Sequence, residues 1–185
     1  ASDWSSDVCS SDLIIVPMAP SSTKMRWRNK SSRLLARVYR GFIPPIVRNS
    51  DNMPLMRHLT PRESWALMQS NPNSLMVDIR MEIESMYVGR PPGAVNIPWY
   101  EYPDFTPQPE AFCAQVQDEA GNKERPVLLI CRSGQRSLDA AKTLEQHGFT
   151  DVINVLHGFE GDLDPQFHRS TLNGWRFEGL PWEQL

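Results

Sequence analysis

The sequence predicts an α/β fold, a mostly parallel sheet of about five strands flanked by helices, and three observations lead there. Short apolar runs at Leu75 to Ile79, Val127 to Ile130 and Val152 to Val155 end in polar or glycine-containing turns, which suits strands covered on both faces. Segments between them place apolar residues at helical spacing. The two kinds of segment alternate along the chain, as crossover connections between parallel strands require. A length of 185 residues with 40% hydrophobic content is enough for one core and a tail.

In chain order, the first 52 residues stand apart. Ser5 to Leu13 holds a small tandem repeat with no hydrophobic period, and translated non-native sequence is one reading of it. Between positions 13 and 50 lie eight basic residues (Lys24, Arg26, Arg28, Lys30, Arg33, Arg37, Arg40 and Arg48) and no acid. From Met53 onward eleven bases face eighteen acids, so the folded part is acidic. Residues 24 to 40 have the composition of a transit peptide or a membrane-surface helix, but an upstream extension ahead of a start at Met53 is the plainer reading. The expected organisation is a disordered basic extension over 1–52 and a domain over 53–185.

Leu55 to Leu59 reads as a short edge strand. Thr60-Pro61-Arg62-Glu63 supplies an N-cap, a proline at the first helical position and a capping-box glutamate, and Asn71-Pro72-Asn73 ends that helix. The strand Leu75 to Ile79 brings Asp78 and Arg80 to its carboxyl end, the edge where ligands bind in parallel sheets. Gly89 to Gly93 turns into a strand over Ala94 to Ile97, after which Trp99 and Tyr100 are either pocket walls or ordinary packing. Pro109 to Ala120 reads as a helix with Phe112, Cys113 and Val116 inward, Cys113 being a small buried hydrophobe.

Val127-Leu-Leu-Ile-Cys131-Arg-Ser-Gly-Gln-Arg136-Ser137 is the stretch with chemistry in it. The strand stops at Cys131, and Leu138, Ala141 and Leu144 then recur at helical spacing until Gly148, a left-handed stop. Arg132 to Arg136 therefore wrap ahead of a helix start, where unpaired amides and a partial positive charge gather anions. Thiolates are stabilised beside cations and helix starts, which makes Cys131 the candidate nucleophile. The spacing is C-x4-R, a ring of six residues, one fewer than the C-x5-R ring that encircles a phosphoryl group in cysteine phosphatases. A tighter ring suits a smaller group, such as the outer sulfur of a persulfide.

Cys131-Arg-Ser-Gly-Gln-Arg-Ser137 resembles the active-site loop of the rhodanese family of sulfurtransferases. Leu75-Met-Val-Asp78-Ile-Arg80 resembles the family's strand ending in V-D-x-R, and Gly89-Arg-Pro-Pro-Gly93-Ala-Val-Asn-Ile-Pro98 its G-H-I-P-G-A-x-N-I-P signature. Arg90-Pro91 replace the usual His-Ile, so no role of that histidine carries over. Val152 to Val155 with His157-Gly158 resembles the last strand and its turn, and the acidic stretch Glu160 to Asp164 an extended last helix. The similarity runs from about Leu55 to Leu185.

The resemblance implies a rhodanese-like three-layer sandwich. It also implies a sulfurtransferase that moves a sulfane sulfur from an anionic donor such as thiosulfate, through a persulfide on Cys131, to cyanide, a thiol or a protein acceptor. Arg136 and the loop amides would hold the charge, Ser133 and Ser137 donate hydrogen bonds, and Arg132, Gly134 and Gln135 complete the rim. For Asp78 and Arg80 the resemblance implies a bracing role beside the loop, while an ordinary ion pair or helix cap explains them equally well. The rival readings are a persulfide relay or binding module that needs a partner protein, and a cysteine-dependent phosphatase or arsenate reductase.

His58, His147, His157 and His168 lack the spacings of a metal site, and no glycine-rich dinucleotide motif is present, so no metal or cofactor is expected. Neither a nucleic-acid partner nor integral membrane association is expected, because no binding fold accompanies the basic stretch and no apolar run approaches membrane-spanning length. Cys9, Cys113 and Cys131 are too few for a disulfide framework, which fits a reducing, cytoplasmic setting. The aromatic tail around Trp175 and Trp182 is expected to wrap back over apolar surface.

Overall fold

The computed structural model describes residues 56–184, so the extension over 1–52, and Met53 and Leu55 with it, lie outside the described residues. Five strands, β1 (Arg57–Leu59), β2 (Leu75–Asp78), β3 (Val95–Asn96), β4 (Val127–Ile130) and β5 (Val152–Val155), alternate with four helices. The helices are α1 (Pro61–Ser70), α2 (Glu82–Val88), α3 (Pro109–Ala120) and α4 (Arg136–Gln146). The strands form one sheet in the order β1-β5-β4-β2-β3, and every pairing is parallel. The three-layer α/β architecture is therefore present, with a sheet that is wholly rather than mostly parallel.

Period-two alternation along the strands divides the core. Leu75, Val77, Val127 and Leu129 face the layer that contains Phe112, Val116, Ala141 and Leu144 of α3 and α4. Met76, Leu128, Ile130, Ile153 and Val155 face the other layer, with Leu67 of α1 and the buried tail residues Phe159, Trp175 and Leu180. Both central strands are buried throughout, which is why they read as unbroken apolar runs. The tail covers a face that two helices alone leave partly open. Trp175 is fully buried, donates its indole N–H to the Pro181 carbonyl at 2.8 Å and meets Trp65 edge to face at 5.9 Å.

Local signals set the helix ends. Thr60 and Glu63 form the capping box, with the Thr60 amide donating to the Glu63 carboxylate at 2.9 Å and the Glu63 amide to the Thr60 hydroxyl at 3.3 Å. Helix α3 has the expected bounds. The expected strand over Ala94–Ile97 contracts to Val95–Asn96, and β2 stops one residue short at Asp78. Sequence assigned no element to 81–88, where α2 forms. The acidic stretch after β5 is not a helix: Gly158 and Gly161 hold φ of +59° and +83°, and Pro165 lacks an N–H, so no helix propagates there.

Candidate active site

The site is assembled at the carboxyl end of the sheet, where β2 and β4 lie side by side with Asp78 opposite Ile130. Cys131 follows β4 directly and is 1% exposed. The loop after it turns inward. Gly134, at φ +87°, aims its amide at the sulfur, with an N···Sγ distance of 3.1 Å. The Ser137 hydroxyl, fully buried in the first turn of α4, lies 3.3 Å from the same sulfur. Arg136 and Ser137 are the first two residues of α4, so their amides have no acceptor within the helix. One loop amide, a helix start and a hydroxyl thus gather around one buried sulfur, the kind of donor set that receives a bound anion.

The chain after β5 clamps this loop from behind. The Phe159 amide donates to the Cys131 carbonyl at 2.8 Å, and the amides of Glu160 and Gly161 donate to the Arg132 carbonyl at 2.9 and 3.1 Å. Such closeness requires glycine at 158, because a Cβ there would stand 2.3 Å from the Cys131 carbonyl oxygen. His157 sits in this turn with its side chain 45% exposed, beside Asp162 at 3.6 Å.

Asp78 and Arg80 form a fork, with guanidinium nitrogens 2.9 and 2.6 Å from the two carboxylate oxygens, and both side chains are fully buried. Arg80 also donates to the Gly89 carbonyl at 2.6 Å and lies 4.5 Å from the centre of the Phe159 ring. Its remaining nitrogen is 3.8 Å from Glu160, the residue whose amide holds the Arg132 carbonyl. The Asn96 side-chain Nδ2 donates to the backbone carbonyls of Asp78 and Arg80 at 2.8 and 2.9 Å. The pair is thus the buried floor beside the loop, and neither residue contacts the sulfur by any bond present.

The loop motif alone assigns Arg136 to the charge of a bound donor; in the structure both of its terminal nitrogens donate to Glu84 of α2, at 2.7 and 2.8 Å. The guanidinium also stands 5.4 Å from the centre of the Tyr100 ring. Burial opposes the charge on Glu84, yet the hydrogen bonds and charge of Arg136 and the Met81 amide hold its carboxyl below the ordinary value. Arg136 in turn is pushed above its ordinary value by Glu84 despite burial. The exposed loop side chains are Arg132 and Gln135, with Ser133 partly covered.

Glu84 is the residue that sequence reasoning missed. A signal existed: Glu82 and Glu84 enrich the first turn of an eight-residue run, Met81 to Val88, that ends at Gly89. Nothing local pairs that turn with Arg136. The aromatic residues also separate. Trp99 is core, packed edge to face on Phe112 at 5.1 Å, whereas Tyr100 reaches the loop. Cys113 is buried in α3, and burial pushes its thiol up to about 11, which suits packing rather than nucleophilic work. A cleft of about 370 Å³ lies between α2 and β3, lined by Glu82, Ser85, Met86, Arg90, Asn96 and Pro98, and does not include Cys131.

A parallel sheet that delivers a buried cysteine into a six-residue loop, with the Gly134 amide on its sulfur and a helix start directly after, defines a class of α/β proteins built around a thiol at a helix N-terminus. Within it, this chain belongs to the rhodanese-like domain family, whose profile matches residues 60–163. It is similar to the thiosulfate sulfurtransferase GlpE of Glaesserella parasuis serovar 5, at 33% identity over 103 residues covering 56% of this chain and 82% of that protein. It is also similar to the adenylyltransferase and sulfurtransferase MOCS3 of Drosophila sechellia, at 30% identity, covering 59% of this chain and 23% of that protein. Among solved structures, Rv0390 from M. tuberculosis superposes with a TM-score of 0.60 at 38% identity, over 69% of this chain and 97% of that one. Among the described residues, no helix is long and apolar enough to cross a membrane.

Proposed function

We propose that the protein is a sulfurtransferase that carries a sulfane sulfur as a persulfide on Cys131. The observation that carries this reading is the Gly134 N–H held 3.1 Å from the Cys131 sulfur, with the Ser137 hydroxyl at 3.3 Å. These groups favour a sulfur anion, in the reacting thiolate and in the persulfide that replaces it.

With thiosulfate, the Cys131 thiolate attacks the outer sulfur, a new S–S bond forms, and sulfite leaves with the electrons of the broken one. A nucleophilic acceptor then attacks the terminal sulfur and the thiolate leaves. Cyanide serves as acceptor in a test tube, and a small thiol or a protein thiol serves in a cell. One difficult transfer is split into two easier steps. Arg136 fixes the start of α4 through Glu84, Asp78 and Arg80 brace the floor, and Arg132 and Gln135 stand at the mouth where donor and acceptor enter. Such chemistry uses no metal or organic cofactor.

The experiment is thiosulfate:cyanide transfer by the full chain, followed as thiocyanate, with the intact mass recorded after thiosulfate alone. Wild type should release thiocyanate and gain the mass of one sulfur atom. Cys131→Ser should do neither while unfolding within about 1 kcal/mol of wild type, since it replaces one small buried atom. Thiocyanate at the normal rate from Cys131→Ser would overturn the mechanism.

A further inference from the structure

Within the sulfurtransferase reading, on which this inference rests, the ion pair across the loop decides the charge of the donor. We propose that Glu84 is a specificity-determining residue: its carboxylate, locked onto Arg136, offsets the guanidinium that would otherwise attract a dianion, so the loop around Cys131 favours singly charged thiosulfonate and persulfide donors over thiosulfate.

The pairing leaves Arg136 little to offer an incoming anion. Both terminal nitrogens are engaged, at 2.7 and 2.8 Å, and the side chains of Arg136 and Glu84 are only 16% and 13% exposed. A fork of this kind is geometrically specific, and breaking it strands a charge away from water. Tyr100 confines the guanidinium from another side at 5.4 Å. Glu84 is itself tethered, because the same oxygen that meets Arg136 accepts the Met81 amide at 3.2 Å. The carboxylate therefore stays where it is when a ligand enters.

What remains to receive charge is the amide of Gly134, the two free amides of the first α4 turn and the Ser137 hydroxyl. Arg132 is exposed, where water and salt screen it. Amides and a helix start amount to a fractional positive charge, matched to one negative charge rather than two. Glu84 adds its own field, which opposes a dianion about twice as strongly as a monoanion.

The chemistry is unchanged by donor charge. With a thiosulfonate R–SO2–S⁻, the Cys131 thiolate bonds to the outer sulfur and a sulfinate departs with the bonding pair. With a persulfide anion R–S–S⁻, a thiolate R–S⁻ departs with the bonding pair. Each leaves the persulfide anion on Cys131 and needs no oxidant or reductant.

Methanethiosulfonate and thiosulfate make the test, since replacing one oxygen of thiosulfate with methyl removes one charge and keeps the reacting sulfur. With the full chain and cyanide as acceptor, kcat/KM for each donor is measured for wild type, Glu84→Gln and Glu84→Asp. Glu84→Gln should shift the thiosulfate-to-methanethiosulfonate ratio toward thiosulfate by about tenfold, through KM, in low salt. Glu84→Asp, which keeps the charge, should stay near the wild-type ratio. An unchanged ratio in folded Glu84→Gln, or equal loss with both donors, overturns the inference and leaves Glu84 a loop brace. Transfer from neither donor by wild type would instead overturn the sulfurtransferase reading itself.

Discussion

Two arginine–carboxylate forks stand at the same end of the sheet and have different jobs. Asp78 and Arg80 are two residues apart at the end of β2 and have no exposed side-chain surface. Glu84 and Arg136 are 52 residues apart, joining α2 to the active loop, and keep 13% and 16% exposure. Burial takes the first pair out of reach of any ligand, and its bonds run to Gly89 and toward Glu160, so it fixes backbone. The second lies beside the sulfur loop, where the carboxylate offsets a guanidinium that a bound donor would otherwise meet. The same chemical pair is scaffold in one place and a charge setting in the other, and solvent access with position makes the difference.

That contrast breaks first at Arg80. Arg80→Met should lower unfolding free energy by about 3–5 kcal/mol, because it strands the buried Asp78 carboxylate. Urea denaturation measures it, and a loss no larger than that of the loop variant would erase the distinction. Arg136→Met should destabilise by about 1–2 kcal/mol, since Glu84 retains some water and the Met81 amide. Its larger effect should be on persulfide formation, slowed by about tenfold as α4 loses its anchor, read as the rate of mass gain from thiosulfate. Arg136→Lys should restore only part of that rate, because an ammonium does not reproduce the fork.

The smallest effect sharpens the comparison through pH. The Glu84 carboxyl is held below its ordinary 4.5 in the folded protein, so its contribution is complete above about that pH and is lost as pH falls through the lower folded value. Wild type should therefore lose stability relative to Glu84→Gln as pH drops from neutral to acid, with other carboxylates cancelling in the difference. Parallel curves for the two proteins between pH 6 and pH 3, roughly the span of carboxylate titration, would show the pair to contribute nothing.

Much of the sheet and the setting of Cys131 was legible in the sequence. Val127 to Ile130 and Val152 to Val155 announce buried strands because both faces of a parallel strand are covered, and the Thr60 to Glu63 cap and the bounds of α3 follow from local chemistry. Cys131 is legible for the same reason: a thiol between a strand end and a helix start is a matter of neighbours in sequence. Helix α2 escaped notice because Ile83 and Tyr87 are exposed, so its apolar spacing points to no core.

Residue order by itself determined the strands and the helices other than α2, the six-residue loop and the residues at β2's end. Only the tertiary structure decided the partner of Arg136, the placing of Trp99 in the core and Tyr100 at the loop, and the closing of the second face by Trp175 and Leu180. Helix caps, strand runs and loop lengths are set by interactions within a few residues, whereas an ion pair spanning 52 positions depends on how α2 packs beside the loop. Local chemistry located the thiol, and the fold selected the charge around it.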